Sequence, residues 1–228
     1  AAVAPEAERE LFENPGAFWA RYEKARFHEY SMVNTKVPRE AMRVSRMVKG
    51  GDVLELDGVR VEVIDTPGYS RGAVSYWIEV GGKRIACTGD LIYGDGQLMD
   101  LTSLQDAIPE TKTRGYHGYA ARAGALIESL RKIAARNPDL IVPARGPLIG
   151  NPRQSIAKLI ARLQTLMASH FATDALRWYW GEESLRVRSS KALDGRPVDS
   201  LPMAEQRPLP QWAIPIGNSR LLLSRSGN

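Results

Sequence analysis

The hydrophobic pattern changes period along the chain, and the change points mark its elements. In residues 6–30, Leu11, Phe12, Phe18, Trp19 and Tyr22 are spaced for one buried helix face. Asn14-Pro15-Gly16 splits this stretch into two helices, with Pro15 suited to the second start. Residues 31–50 are polar and irregular, so 1–50 reads as a helical N-terminal segment. From Asp52 the period shortens to two. Val53, Leu54 and Leu56 lead to the hairpin turn Asp57-Gly58, and Val59, Val61, Val63 and Ile64 form the returning strand. Ala73 to Val80 is a third strand and Gly81-Gly82 a second turn. Lys83 to Thr88 is a fourth strand, with Ile85 and Cys87 alternating against Arg84 and Ala86. Short strands joined by turn residues describe a meander.

Residues 94–117 are glycine-rich and polar and read as a long surface loop, the kind of segment that often carries function. Tyr119, Ala123, Leu126, Ile127, Leu130, Ile133 and Ala134 then fall on one helical face, ended by Asn137-Pro138. Leu140-Ile141-Val142 is an apolar strand suited to the centre of a sheet. Pro152 opens a second long helix with the stripe Ile156, Leu159, Ile160, Leu163, Leu166 and Met167. Residues 51–172 therefore form the sheet-and-helix body. From Trp178 the pattern weakens. Residues 189–211 hold four prolines and suit a linker, and 212–228 resemble new strands. Residues 173–228 read as an extended tail whose strands either complete the sheet or begin a second domain. The expected fold class is α/β, a mixed, mostly antiparallel sheet flanked by helices.

Composition narrows the classes. The 228 residues carry a net charge of +5, with 43% hydrophobic and 25% charged residues, which is ordinary for a globular chain and excludes disorder, collagen and coiled coil. The one cysteine, Cys87, excludes an internal disulfide and a cysteine metal cage, and reads as a small core residue. No run of about 18 apolar residues occurs. Ala1-Ala2-Val3-Ala4-Pro5 fits either the residues after a cleaved leader or a cut within a longer chain, and Ser226-Gly227-Asn228 ends in a turn that leads onward. The three histidines are His28, His117 and His170, few for metal chemistry.

Four motifs occur in order: Thr66-Pro67-Gly68-Tyr69-Ser70, Gly81-Gly82-Lys83, Thr88-Gly89-Asp90 and Pro143-Ala144-Arg145-Gly146-Pro147. Together, over roughly 50–172, they resemble the second half of the metallo-β-lactamase superfamily fold, a four-layer αββα sandwich. The resemblance implies a zinc-dependent hydrolase. In that family the first loop ends in a metal-binding histidine, where this chain has Tyr69. The Asp of Thr-Gly-Asp bridges two metals, and Asp90 retains it. The Pro-Ala-x-Gly motif carries a further histidine, where this chain has Arg145. The His-x-His-x-Asp-His cluster that precedes these motifs is absent. Ile216-Gly217-Asn218-Ser219 with Leu221-Leu222-Leu223 also resembles the opening strands of the superfamily.

Zinc hydrolases need three protein ligands and an open position, at which the metal lowers the pKa of bound water to about 7. Asp90 is the candidate catalytic and metal-binding carboxylate, and His117, in the long loop, is the imidazole that could join it. The plain alternative for His117 is an exposed loop residue, and for His28 and His170 ordinary packing. Arg145 is expected to pair with Asp90 and supply the charge of a lost metal, with the Tyr69 hydroxyl as a further donor. Asp65, Asp95 and Asp100 are either extra carboxylates or solvated loop residues. The functional expectation is a hydrolase-like domain with a degenerate metal site, not catalytic as this chain alone. One alternative is an active zinc hydrolase whose histidine cluster comes from another chain or segment. Another is nucleic-acid association, weakened by the mild charge and by the lack of aromatics interleaved in Arg131-Lys132 and Arg186–Lys191. Half a sandwich exposes an apolar sheet face, so a second chain or copy is expected to cover it. Trp178-Tyr179-Trp180 and Trp212 are candidates for that contact or for the core.

Overall fold

The structure, a computed structural model, describes residues 2–25, 40–106, 120–173, 177–198, 210–216 and 219–224. The centre is a five-stranded sheet: β3 (Val53–Leu56), β4 (Val59–Asp65), β5 (Val74–Val80), β6 (Lys83–Gly89) and β7 (Leu140–Pro143), side by side in that order. The first four pair antiparallel through the expected hairpins, and β6 pairs parallel with β7. At the first turn both Asp57 (φ 50°) and Gly58 (φ 80°) are left-handed, the geometry whose twist matches a tight hairpin.

The sheet's two faces differ. One carries Ser75, Trp77, Ala86 and Ile141, all buried. Helix α3 (Ala123–Ala135) brings Leu126, Ile127, Leu130 and Ile133 into the same core. Helix α4 (Pro152–Ala172) adds Ile156, Leu159, Leu163, Met167 and Phe171. On the other face Leu54, Val61 and Val63 are buried with Val48, whereas Tyr76, Ile78, Ile85, Cys87, Leu140 and Val142 are only half-buried.

Several expectations need correction. The stretch 1–50 is not only helical. Beside α1 (Arg9–Glu13) and α2 (Pro15–Ala25) it holds β1 (Val3–Pro5) and β2 (Arg46–Val48), paired parallel. Three-residue strands are too short to show a period, and Val48 is recognisable only by its burial against β3 and β4. The tail is not extended throughout. Helix α5 (Arg177–Leu193) lies there, kinked at Gly181 (φ 81°), and buries Leu185, Ala192 and Leu193 in the main core. The kink interrupts the helical period, which is why the pattern weakens there. The strands expected after 212 are present as the hairpin β8 (Ala213–Ile216) and β9 (Ser219–Leu222). Trp212, at 56% exposure, stands open to solvent beside this hairpin, outside the core. The side chains of Trp178, Tyr179 and Trp180, and His28, Tyr119 and His117, lie outside the described residues. Among the described residues no helix is long and apolar enough to cross a membrane.

The loop after β4 is pressed against α3. Ser129 Oγ donates to the Pro67 carbonyl at 2.7 Å. A Cβ on Gly68 (φ +148°) would come within 2.6 Å of the Leu126 Cα. Gly68→Ala combines backbone strain with overpacking, and we expect it to lower unfolding free energy by about 3 kcal/mol, read by urea denaturation. A change under about 1 kcal/mol would mean that this contact loosens readily.

Candidate functional site

Parallel pairing of β6 and β7 aligns their C-terminal ends. Cys87 is opposite Val142, Gly89 is opposite Pro143, and the Ala144 N–H donates to the Gly89 carbonyl at 2.8 Å. The residues that follow, Asp90 and Arg145, therefore emerge together. Arg145 Nε donates to Asp90 Oδ1 at 3.0 Å and its Nη2 to Oδ2 at 2.5 Å, a two-pronged pair that occupies both carboxylate oxygens. Arg145 is 49% exposed along its side chain and Asp90 24%, so the pair sits at the surface with its acid partly covered.

Tyr69 comes from the loop pinned by Gly68. Its oxygen receives a long contact from Arg145 Nη2, 3.4 Å, and its hydroxyl donates to Asp100 Oδ2 at 3.0 Å. Asp100 also accepts from the Ser103 N–H at 2.7 Å and the Ser103 hydroxyl at 3.0 Å, closing the turn of 3-10 helix at Thr102–Leu104. Burial pushes the Tyr69 phenol up, and the Asp100 carboxylate adds to this, so the phenol keeps its proton at neutral pH and acts as the donor. The Asp90 carboxylate pushes the Arg145 guanidinium further up still.

A second arginine frames the site. Arg122, just before α3, donates to the carbonyls of Gly68 (2.9 Å), Tyr69 (3.1 Å), Gln105 (3.1 Å) and Ser103, and to Asp106 Oδ2 at 3.0 Å. Arg71 grips the same Asp106 at 2.9 and 2.5 Å. Burial alone would raise the Asp106 pKa, but the hydrogen bonds from Arg71 and Arg122 outweigh it and hold the acid below its ordinary 3.8. Sequence reasoning missed Arg122, Arg71 and Asp106. Nothing in their spacing separates them from other loop charges, because their role is to satisfy backbone carbonyls that only the folded loops bring together.

Of the other carboxylates, Asp100 joins the site. Asp65 accepts from the Gly50 N–H at 2.7 Å, and Asp95 binds Lys158 (2.5 Å) and Ser155 (3.1 Å) on α4, so both fasten loops elsewhere. His170 lies half-buried beside the Phe171 ring at the end of α4. Cys87, expected in the core, is half-buried on the sheet face away from the helices, and burial raises its thiol pKa. Zinc needs three donors with lone pairs. Here Asp90 has both oxygens on Arg145, a guanidinium has no lone pair to give, and Tyr69 is held protonated. Among the described residues no group of three His, Cys, Asp or Glu side chains is placed to hold a metal, so the described residues do not fit zinc at this corner.

Two measurements probe these contacts. A double-mutant cycle with Arg145→Met and Asp90→Asn should return a coupling of about 1 kcal/mol, modest because the arginine is half in water. Zero coupling would mean the pair is incidental. Asp106→Asn should cost about 2 kcal/mol at pH 7, since it weakens charge-assisted bonds from two arginines. A carboxylate whose folded pKa is depressed stabilises above its unfolded value and loses that effect as pH falls through the folded one. The difference between native protein and variant should therefore hold above about pH 4 and shrink below it. A pH-independent difference would contradict this assignment.

Comparison with known proteins agrees with the geometry. Residues 1–145, well over half of the chain, match the family described as the metallo-beta-lactamase superfamily. A hydroxyacylglutathione hydrolase from Brucella ovis is 36% identical over 61 residues, covering 26% of this chain and 23% of that protein. An uncharacterized protein from Mycobacterium leprae is 36% identical over 55 residues, covering 24% of this chain and 25% of its own length. Among solved structures, a metallo-beta-lactamase family protein from Thermus thermophilus superposes with a TM-score of 0.52 at 16% identity, covering 75% of this chain and 55% of that one. The chain thus spans about a quarter of the curated relatives it matches and about half of this structural neighbour. With the sheet, the parallel β6–β7 pair and the motifs at its C-terminal ends in register, the chain belongs to the metallo-β-lactamase superfamily.

Proposed function

We propose that this chain is a hydrolase-like metallo-β-lactamase domain whose metal corner is degenerate, with the Arg145 guanidinium taking the place of a cation, and that it does not hydrolyse a substrate on its own. The observation carrying this reading is the occupation of both Asp90 oxygens by Arg145, at 3.0 and 2.5 Å. A partly buried carboxylate at a lost metal site requires a compensating charge, and a planar two-pronged guanidinium supplies one with matching geometry. A metal entering here would have to displace that contact.

A second reading has one observation in its favour. The Brucella ovis relative is a hydrolase by name, although it matches only 26% of this chain. In this reading Asp90 supplies a metal-bridging carboxylate, His117 an imidazole, and the histidine cluster comes from further polypeptide, with Arg145 turning outward into solvent. In both readings the half-buried residues Ile85, Cys87, Leu140 and Val142 require cover, from a second chain or copy or from more of the same protein.

Elemental analysis of the full-length protein, purified without chelator and dialysed against micromolar zinc, separates the two. The degenerate reading expects far less than one zinc per chain, and stoichiometric zinc overturns it. Tyr69→His with Arg145→His restores lone-pair donors and should raise zinc affinity at least about tenfold, the increment expected for imidazole ligands at a zinc corner.

A further inference from the structure

Between the loop after β6 and helix α4 lies a pocket of about 430 Å³, within the roughly 300–1,000 Å³ span of small-molecule sites. Its wall is apolar: Leu98 and Leu101 from the loop, Leu159, Leu163 and Leu166 from α4. No aromatic ring lines it, so nothing there would stack on a flat ligand. Its loop side is fixed in place. Asp95 is held by Lys158 and Ser155, and Arg162 Nη1 donates to the Gly96 carbonyl at 2.6 Å and the Asp95 carbonyl at 3.4 Å. Gly96 lies so close to α4 that a Cβ would meet the Lys158 Cβ at 2.9 Å. The cavity is therefore formed before any ligand arrives, which lowers the ordering cost of binding.

The polar groups at its mouth are unequal. Asp100 turns its oxygens to Ser103 and Tyr69. Arg162 is exposed, and among the described residues its Nε and Nη2 make no hydrogen bond, while Nη1 holds the guanidinium in place. The charges balance: Lys158 is paired with Asp95, and Asp100 stands in the lining with Arg162, so the feature that distinguishes the mouth is the donors of Arg162 left over, not a net charge. We propose that this pocket binds a free medium-chain aliphatic carboxylate, its tail against the leucines and its carboxylate on Arg162. The pocket shares Asp100 with the corner that holds Asp90 and Arg145 but does not include that pair, and its ligand can be measured whatever the zinc content proves to be.

The test is a titration of the full chain with hexanoate, octanoate and decanoate, followed by calorimetry. Each added methylene should tighten binding by roughly fourfold until the pocket is full, as expected for burial of one methylene. Decanol in place of decanoate, or Arg162→Gln with decanoate, should each weaken binding about tenfold, the loss expected for one charge-assisted hydrogen bond. Leu98→Trp should abolish binding by filling the cavity. A measurement on the unaltered protein guards against variants that misfold. Spin-labelled decanoate should broaden the methyl resonances of Leu98, Leu101 and Leu166 and spare Leu221 and Leu222, which stand exposed on the β8–β9 hairpin. Broadening confined to that hairpin, affinity independent of chain length, or equal binding of decanol and decanoate would each overturn the proposal.

Discussion

The parallel pairing of β6 with β7 is the constraint on which the site depends. An antiparallel neighbour would place the end of one strand beside the start of the other. Parallel pairing places two C-terminal ends side by side, so the residues just beyond them converge. Asp90 follows β6 directly and Arg145 follows β7 by two residues, and the 55 positions between them in sequence become 2.5 Å between charged atoms. Parallel strands cannot be joined by a tight turn. The chain must cross over, and α3 is that crossover, packing four fully buried aliphatic residues into the core beneath the sheet. The same helix receives Gly68 and thereby positions Tyr69. One pairing choice thus dictates the helix, the loop contact and the meeting of three side chains.

Charge balance then explains why the surrounding loops hold their shape. Asp90, Asp100 and Asp106 converge on the ends of the strands, and Arg145, Arg122 and Arg71 lie among them. Asp90 and Asp106 each face at least one guanidinium, whereas Asp100 is satisfied by a phenol, a serine hydroxyl and a backbone N–H. Arg122 differs from Arg145 in kind. It is only 14% exposed and its donors go mainly to backbone carbonyls, so it performs the work of a turn or a strand edge for loops that have neither. Arg145 is half in solvent and meets side chains alone. The first arginine therefore shapes the fold, while the second sets the chemistry of the corner.

What could be read in the sequence follows from length and period. The meander was legible because four strands of alternating residues were separated by Asp57-Gly58 and Gly81-Gly82, and both long helices because Leu126 to Ile133 and Ile156 to Met167 sustain a helical stripe. The pairing of Asp90 with Arg145 could be anticipated only through the resemblance to the superfamily, which implies that both stand at metal-ligand positions and so close together. β1 and β2 were not legible, since three residues show no period. Helix α5 was hidden because Gly181 breaks it near its start and the polar stretch that follows sends few apolar residues, Leu185, Ala192 and Leu193, into the core. The Arg122 network was hidden for a different reason: a side chain that binds carbonyls leaves no signature in residue types, because every residue has a carbonyl.

The two faces of the sheet place these parts in relation to each other. The helix-covered face is buried as far as Trp77 and Ile141, whereas the opposite face is sealed only over β3 and β4, where Val48 reaches it. Over β5, β6 and β7 it remains half-open. The ion pair lies at the C-terminal ends of those same last two strands, beside the half-open face. Cover of that face would withdraw water from the pair. A guanidinium–carboxylate contact gains Coulomb energy as water leaves but loses more solvation for each charge, so its sign depends on how completely its hydrogen bonds are met. Asp90 has both oxygens satisfied. Arg145 has one nitrogen still turned outward, and that nitrogen is the group through which a covering partner or a ligand would act on the site.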